Sequence, residues 1–225
     1  MNSQLKMVDR DTWLLQRAAN RTVMHVGCTD APLTKSKAEK NQLLHQKLGK
    51  VCKELIGVDL ESASLDYLRR QHGIDNLYCH DIERLESFPR QEKVDVVIAG
   101  EVLEHLNNVG LFFESCGARL KKDGCVLVTV PNALSIKRIM VSLVKRKEHV
   151  HPDHTSYFSP STLSCIAHRH KLNLSGMSMY LWRNPTVSNR LANAIARAII
   201  FVTQFPLLAD GIVAEFRPDV PGGEN

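Results

Sequence analysis

Two hydrophobic periods alternate along the first half of the chain. Thr22 to Val26 is short, apolar and rich in β-branched residues, which predicts a strand. Leu43 to Glu54 spaces Leu43, Leu44, Leu48, Val51 and Cys52 as a helix does, and Leu55 to Val58 returns to a strand-like run. Ser62 to His72 predicts a helix with Ala63, Leu65 and Leu68 inward and Gly73 just past its end. Asn76 to Cys79 is a third short strand. Val94 to Ala99 and Cys125 to Val130 are unbroken apolar runs, the pattern of strands buried on both faces. Between them, Val109 to Leu120 reads as a helix closed by a turn at Lys121 to Gly124. This alternation predicts an α/β fold, a doubly wound, mostly parallel sheet with helices on both faces.

The second half is less regular. Ser135 to Glu148 has the pattern of an amphipathic helix. Ile136, Ile139, Met140, Leu143 and Val144 make one face; Lys137, Arg138, Lys145, Arg146 and Lys147 make the other. A loop with His, Asp and Pro runs from His149 to Ser159. Ser159 to Lys171 predicts a helix, Leu172 to Trp182 a strand, Val187 to Phe205 a helix and Gly211 to Phe216 a last strand. The longest apolar stretch, Leu191 to Ala209, is interrupted by Asn193, Arg197, Thr203, Gln204 and Pro206. It falls short of the roughly 18 unbroken apolar residues of a membrane span, and its spacing suits a helix packed on the sheet. No break in composition divides the chain, so residues 1–225 are expected to form a single domain. Trp13 is expected to anchor an N-terminal helix on it.

Composition narrows the class. The chain has 225 residues, 44% hydrophobic and 24% charged, which excludes extended disorder, collagen and simple coiled coil. The net charge of +5 pulls only weakly toward anionic partners. With aromatic residues at 6% and no stacking module, nucleic acid is not the expected partner. None of the six cysteines forms a Cys-x-x-Cys pair, which suggests reduced thiols. The polar start, MNSQLKMVDRD, lacks the apolar core of an export signal. Together these predict a cytoplasmic protein, with the basic helix offering peripheral membrane contact or a phosphate site.

Ligands of open α/β sheets lie beyond the carboxyl ends of the strands, so the segments there are the candidates. After the first strand comes Gly27-Cys28-Thr29-Asp30-Ala31-Pro32, a small-residue turn that lets backbone N–H groups, with Thr29, approach a ligand. After the second comes Asp59-Leu60, a carboxylate able to accept from both hydroxyls of a ribose. After the third come Asp81, an acceptor for an exocyclic amine, and Ile82, an apolar face for a purine. After the fourth comes Gly100-Glu101-Val102-Leu103-Glu104-His105-Leu106. Each has a plain structural alternative: Gly27 as a bare turn, Asp59 and Asp81 as helix or turn caps, Asp95 as a strand-start anchor.

The order of these segments resembles class I S-adenosylmethionine-dependent methyltransferases over roughly residues 20–182. The block VDVVIAGEVLEHLNN is similar to the quinone-biosynthesis O-methyltransferases and their relatives. The resemblance implies a Rossmann-like fold ending in an antiparallel hairpin, Leu172–Trp182 with Gly211–Phe216. It implies elements covering the acceptor near 133–158 and 187–209. It implies that Gly27 and its neighbours cradle the methionine end of S-adenosylmethionine, Asp59 holds the ribose, Asp81 the adenine amine, and Glu101 lines the pocket. The chain departs from the usual first motif. His25 stands at the acidic position, and Thr29 and Ala31 replace the second and third glycines. Gly27 and Asp59 are 32 residues apart, where about 20 is usual, which fits an inserted polar loop from Thr34 to Gln42. The missing glycines also argue against a dinucleotide fingerprint.

Glu101, Glu104 and His105 fall at i, i+3 and i+4, one face of a helix. A fourth metal-capable group is available in His149, His151, Asp153 or His154, and the mixed set Glu101, Glu104, His105 and His154 admits Mg, Mn, Zn or Fe, with Mg or Mn the expected ion. Glu-x-x-Glu-His with a downstream His-rich loop resembles metal-dependent RNA 2′-O-methyltransferases, and some quinone O-methyltransferases share metal dependence. Such an ion would orient a substrate hydroxyl and lower its pKa for in-line attack on the methyl sulfonium. Without metal, His105 or His154 is the candidate general base. The plain alternative leaves Glu104 solvated and His105 at a helix N-terminus. His25 is expected to hydrogen-bond locally, His168 and His170 to sit at a helix end, and His45, His72 and His80 to lie on the surface.

The expected function is therefore methyl transfer to an oxygen of a small-molecule, glycan or lipid-linked acceptor. Two rivals remain open: an RNA 2′-O-methyltransferase, and a binding subunit whose eroded glycine motif no longer supports catalysis.

Overall fold

A computed structural model of the chain describes residues 5–148, 150–182 and 187–219. Its strands are β1 (Lys6–Met7), β2 (Thr22–Val26), β3 (Glu54–Asp59), β4 (Leu77–Cys79), β5 (Val94–Gly100), β6 (Leu120–Pro131), β7 (Leu172–Tyr180) and β8 (Gly211–Pro218). Its helices are α1 (Arg10–Ala18), α2 (Thr34–Glu39), α3 (Leu44–Gly49), α4 (Ser62–His72), α5 (Val109–Arg119), α6 (Ile136–Lys145), α7 (Pro160–Arg169) and α8 (Val187–Thr203). The strands form one sheet in the order β1-β7-β8-β6-β5-β2-β3-β4. β8 runs antiparallel to β6 and β7, and the other neighbours are parallel. The α/β class, the mostly parallel sheet and the C-terminal hairpin are as expected.

The apolar runs explain the layers. In β5, Val97 and Ala99 pack on one side and Val96 and Ile98 on the other. β6 does the same with Val126 and Val128 against Cys125 and Leu127. Phe112 and Phe113 of α5 and Leu163 of α7 cover the first face. Trp13 and Leu14 of α1 and Leu48 of α3 cover the second. The strand order reverses between β2 and β5, so a crevice opens at their carboxyl ends.

Several elements differ from the sequence reading. The helix expected over Leu43–Glu54 is only α3, and the loop expected over Thr34–Gln42 holds α2. The Lys121–Gly124 turn is a bulge inside β6: Leu120 pairs with Val94 and Cys125 with Val96. Asp95 lies within β5, where it accepts from Thr22 N (2.8 Å) and pairs with Lys121. Residues 101–105 are not an α-helix: Glu101 is left-handed (φ +59°) and Leu103–His105 is one 3₁₀ turn.

α6 lies outside the two packed layers, and α8 joins the first through Ile200. No residue of α6 is buried. Of the expected core stretch 191–209, Ala196, Ile200 and Ala209 are buried, whereas Phe201 and Val202 face solvent. One helical face meets the fold, and the other is exposed at Phe201 and Val202. Buried Asp210 ties this region down. It binds Lys137, accepts from Ser135 Oγ (3.2 Å) and accepts from Trp182 N (2.9 Å). Lys137 also reaches Asn193 of α8. No described helix is long and apolar enough to cross a membrane.

Candidate active site

The turn after β2 is built around one glycine. Gly27 has φ +67°, and a Cβ there would stand 2.4 Å from Val102 Cγ2. The residue must be glycine both for its backbone and for this contact. Thr29 donates its backbone N–H (2.9 Å) and its hydroxyl (2.8 Å) to Asp59 Oδ2, and Glu61 N–H donates to Oδ1 (3.1 Å). Thr29, a candidate for ligand contact, thus has its hydroxyl on Asp59. The carboxylate keeps part of its acceptor capacity. Asp81 caps the 3₁₀ turn Ile82–Ser87 through Glu83 N–H (2.9 Å) and stays half exposed. Ile82 is buried in the core, and Leu60 offers exposed apolar surface at 65%.

Glu101 enters a different network from the one its spacing suggested. Its left-handed backbone turns the side chain to Tyr180 OH (2.6 Å) and Thr129 Oγ1 (2.9 Å), both donating to Oε1. Arg10 Nε donates to Thr129 Oγ1 (2.9 Å), and the guanidinium lies over Trp182. Burial, then Glu101, push the Tyr180 phenol well above its ordinary pKa. Arg10, Thr129 and Tyr180 escaped the sequence reading. Thr129 alone left a trace there, as the one polar residue in an apolar strand.

Beside this network lies a second cluster. One ligand atom each of Glu104, His105 and His154 lie within 4.8 Å of one another. Glu101, placed in this set by sequence spacing, is not in it: the 101–105 segment is a left-handed residue followed by a 3₁₀ turn, so i and i+3 do not share an α-helical face. Thr155 pins the histidine loop by donating its N–H to Glu104 O (2.7 Å) and its hydroxyl to Leu106 O (2.8 Å). Glu104 is buried rather than solvated, 1% exposed, and its Oε2 has no partner among the described residues. Burial and then the Glu101 charge push its carboxyl up to about 9. Burial, then neighbouring His105 and His151, lower His154 to about 4. The His105 and His154 rings stand edge-on with centroids 4.7 Å apart. His151 and Asp153 lie outside the set, and His149 lies outside the described residues. Arg138 Nη1 is buried near this cluster with no partner among the described residues, and the guanidinium lies over Tyr157. A carboxyl oxygen with no partner beside two imidazoles fits a divalent ion, provided the acid gives up its proton.

The remaining histidines sort by packing. His45, expected on the surface, is 2% exposed and stacks on His25 with Nδ1 atoms 3.2 Å apart. His25 therefore bonds locally, as expected. His72 and His80 are half-buried. His168 and His170 do close α7.

Residues 38–128 match the methyltransferase domain family. The match begins after the Gly27 turn. A ubiquinone biosynthesis O-methyltransferase of Bradyrhizobium diazoefficiens is 32% identical over 94 residues, 40% of this chain and 36% of that protein. Its counterpart in Glaesserella parasuis serovar 5 is 29% identical over 120 residues, 50% of this chain and 46% of that protein. The chain thus spans less than half the length of these relatives. A solved structure of a putative methyltransferase from Bacillus halodurans superposes with TM-score 0.60 at 15% identity, covering 92% of this chain and 98% of that one. The N-methyltransferase NodS of Bradyrhizobium japonicum WM9, in complex with S-adenosyl-L-homocysteine, superposes with TM-score 0.53 at 15% identity, covering 94% and 86%. At such identities the likeness is one of fold.

Proposed function

We propose that this chain, a class I S-adenosylmethionine-dependent methyltransferase by domain and by fold, transfers a methyl group to an oxygen of a small-molecule, glycan or lipid-linked acceptor. The observation that carries the reading is a cluster of one buried carboxyl with an exposed and a half-buried imidazole after β5, at the same strand ends as the glycine turn and two carboxylates. Bound S-adenosylmethionine supplies a methyl group already activated by its sulfonium charge, so positioning is most of the protein's task. Gly27 admits a ligand close to the backbone. Asp59 has acceptor capacity left for a ribose hydroxyl, Asp81 for the adenine amine, and Leu60 offers apolar surface beside them. Glu101, held by Thr129 and Tyr180, lines the same crevice.

His154, neutral at neutral pH, can take the proton of an acceptor hydroxyl on a ring nitrogen, and His105 faces it. Glu104, His105 and His154 would hold Mg or Mn, which would lower the pKa of a bound hydroxyl. The O-acceptor draws support from the ubiquinone biosynthesis relatives. The internal bonds on Asp59 favour one rival, a binding subunit without catalysis.

Calorimetric titration with S-adenosylmethionine and S-adenosylhomocysteine tests the reading. Asp59→Ala is expected to weaken both roughly a hundredfold. Glu104→Gln keeps the shape of the protonated acid, so cofactor binding survives while Mn²⁺ binding and metal-stimulated methyl transfer are lost. No binding of either compound by the unaltered protein would put the binding-subunit reading first.

A further inference from the structure

α6 carries Ile139, Met140, Leu143 and Val144 in the open, the last two 73% and 82% exposed. α8 adds Phe201 and Val202 at 76% and 79%. The two helices are neighbours, joined where Lys137 meets Asn193. Scattered surface apolar residues are ordinary, but a set gathered on two adjacent helices marks an interaction surface. Its rim is cationic: Lys145, Arg146 and Lys147 are exposed and make no ion pair with another described residue, and Arg197 is exposed on α8. Glu148, the nearest acid in sequence, is turned to Tyr157 OH (3.0 Å). Next to α8 opens a cavity of about 480 Å³ lined by six apolar residues, among them Met7, Leu181 and Phe201, and by Asp9, Arg197 and Gln204.

We propose that α6 and α8 form a docking surface for an anionic lipid bilayer. Apolar side chains enter the acyl boundary while the cations remain at the headgroups, the arrangement of an interfacial amphipathic helix. Charge decides against a second copy of the chain. A two-fold contact would set the basic rim of one molecule against the same rim of the other. Nucleic acid would match the charge but leave the apolar side chains unmatched. Docking would bring the cavity beside Phe201 to the bilayer, its apolar wall suited to an acceptor with an apolar tail. The docking itself does not depend on methyl transfer.

Co-sedimentation with vesicles of phosphatidylcholine alone, or mixed with phosphatidylglycerol, tests the surface. The protein is expected on the mixed vesicles only, with binding lost at high salt. Neutralising Lys145 and Lys147 with Gln is expected to weaken partition roughly fivefold for each charge removed. Leu143→Glu with Val144→Glu changes two mostly exposed side chains and is expected to abolish binding. Cofactor titration of the same variants checks that the fold and crevice are intact. Absent or lipid-independent binding overturns the proposal. So does sedimentation of the unaltered protein as a dimer that the double Glu variant breaks.

Discussion

His25 and His45 place two imidazoles in the core with ring nitrogens 3.2 Å apart. Burial lowers His45 from 6.5 to about 4, and burial with the His45 charge takes His25 well below 6.5. The unfolded chain therefore binds protons that the folded one refuses. Stability contributed by the neutral pair is whole above pH 6.5 and is lost as pH falls toward 4. For His45 the full loss is roughly 3 kcal/mol. Urea midpoints measured across this range should fall with pH in the unaltered protein and fall less steeply in His45→Gln; parallel curves would show that the pair does not titrate there. His45 looked like a surface residue because the short α3 gives too few turns to fix a face. The strand-end placement of Asp59, Asp81 and Gly27 was legible because position after a strand is written in the sequence. Arg10, Thr129 and Tyr180 were not, because their contacts join residues 79 to 119 apart.

At the level of elements, patterns spanning a full strand or several turns carried through. β2 and α4 have the expected bounds, with Gly73 left-handed as the cap of α4. The Glu101–His105 segment did not, since a left-handed residue and a single 3₁₀ turn have no periodic signature. That segment interlocks with the first turn through Val102. Gly27→Ala would bring a Cβ to 2.4 Å from Val102 Cγ2 at a positive φ. The expected cost is about 2 kcal/mol in stability. Cofactor affinity should also fall, because Val102 lies between Glu101 and Glu104. Thermal unfolding and calorimetric titration of Gly27→Ala check both. An unchanged melting temperature would mean that the two turns move independently.

Across the whole molecule, the parallel order and the final hairpin followed from the alternation of runs and from the resemblance. The placement of α6 and α8 did not follow, because amphipathic helices reveal which face is apolar but not what covers it. Asp210 fixes that placement by joining the start of α6 to Trp182 and, through Lys137, to α8. Asp210→Ala leaves Lys137 without its carboxylate in a mostly buried site and should cost about 3 kcal/mol. Hydrogen exchange should accelerate first in residues 135–145 and 193–203, with the sheet still protected. Uniform acceleration would make Asp210 a support of the entire fold instead. The strand order has a different consequence at its rims. The outermost strands are the two-residue β1, with Lys6, and the three-residue β4. The β4 rim offers only three residues, but β1 covers only Ser178 and Met179 of β7, so among the described residues Leu172–Met177 has no strand partner on its outer side and is the edge on which another chain could add a strand.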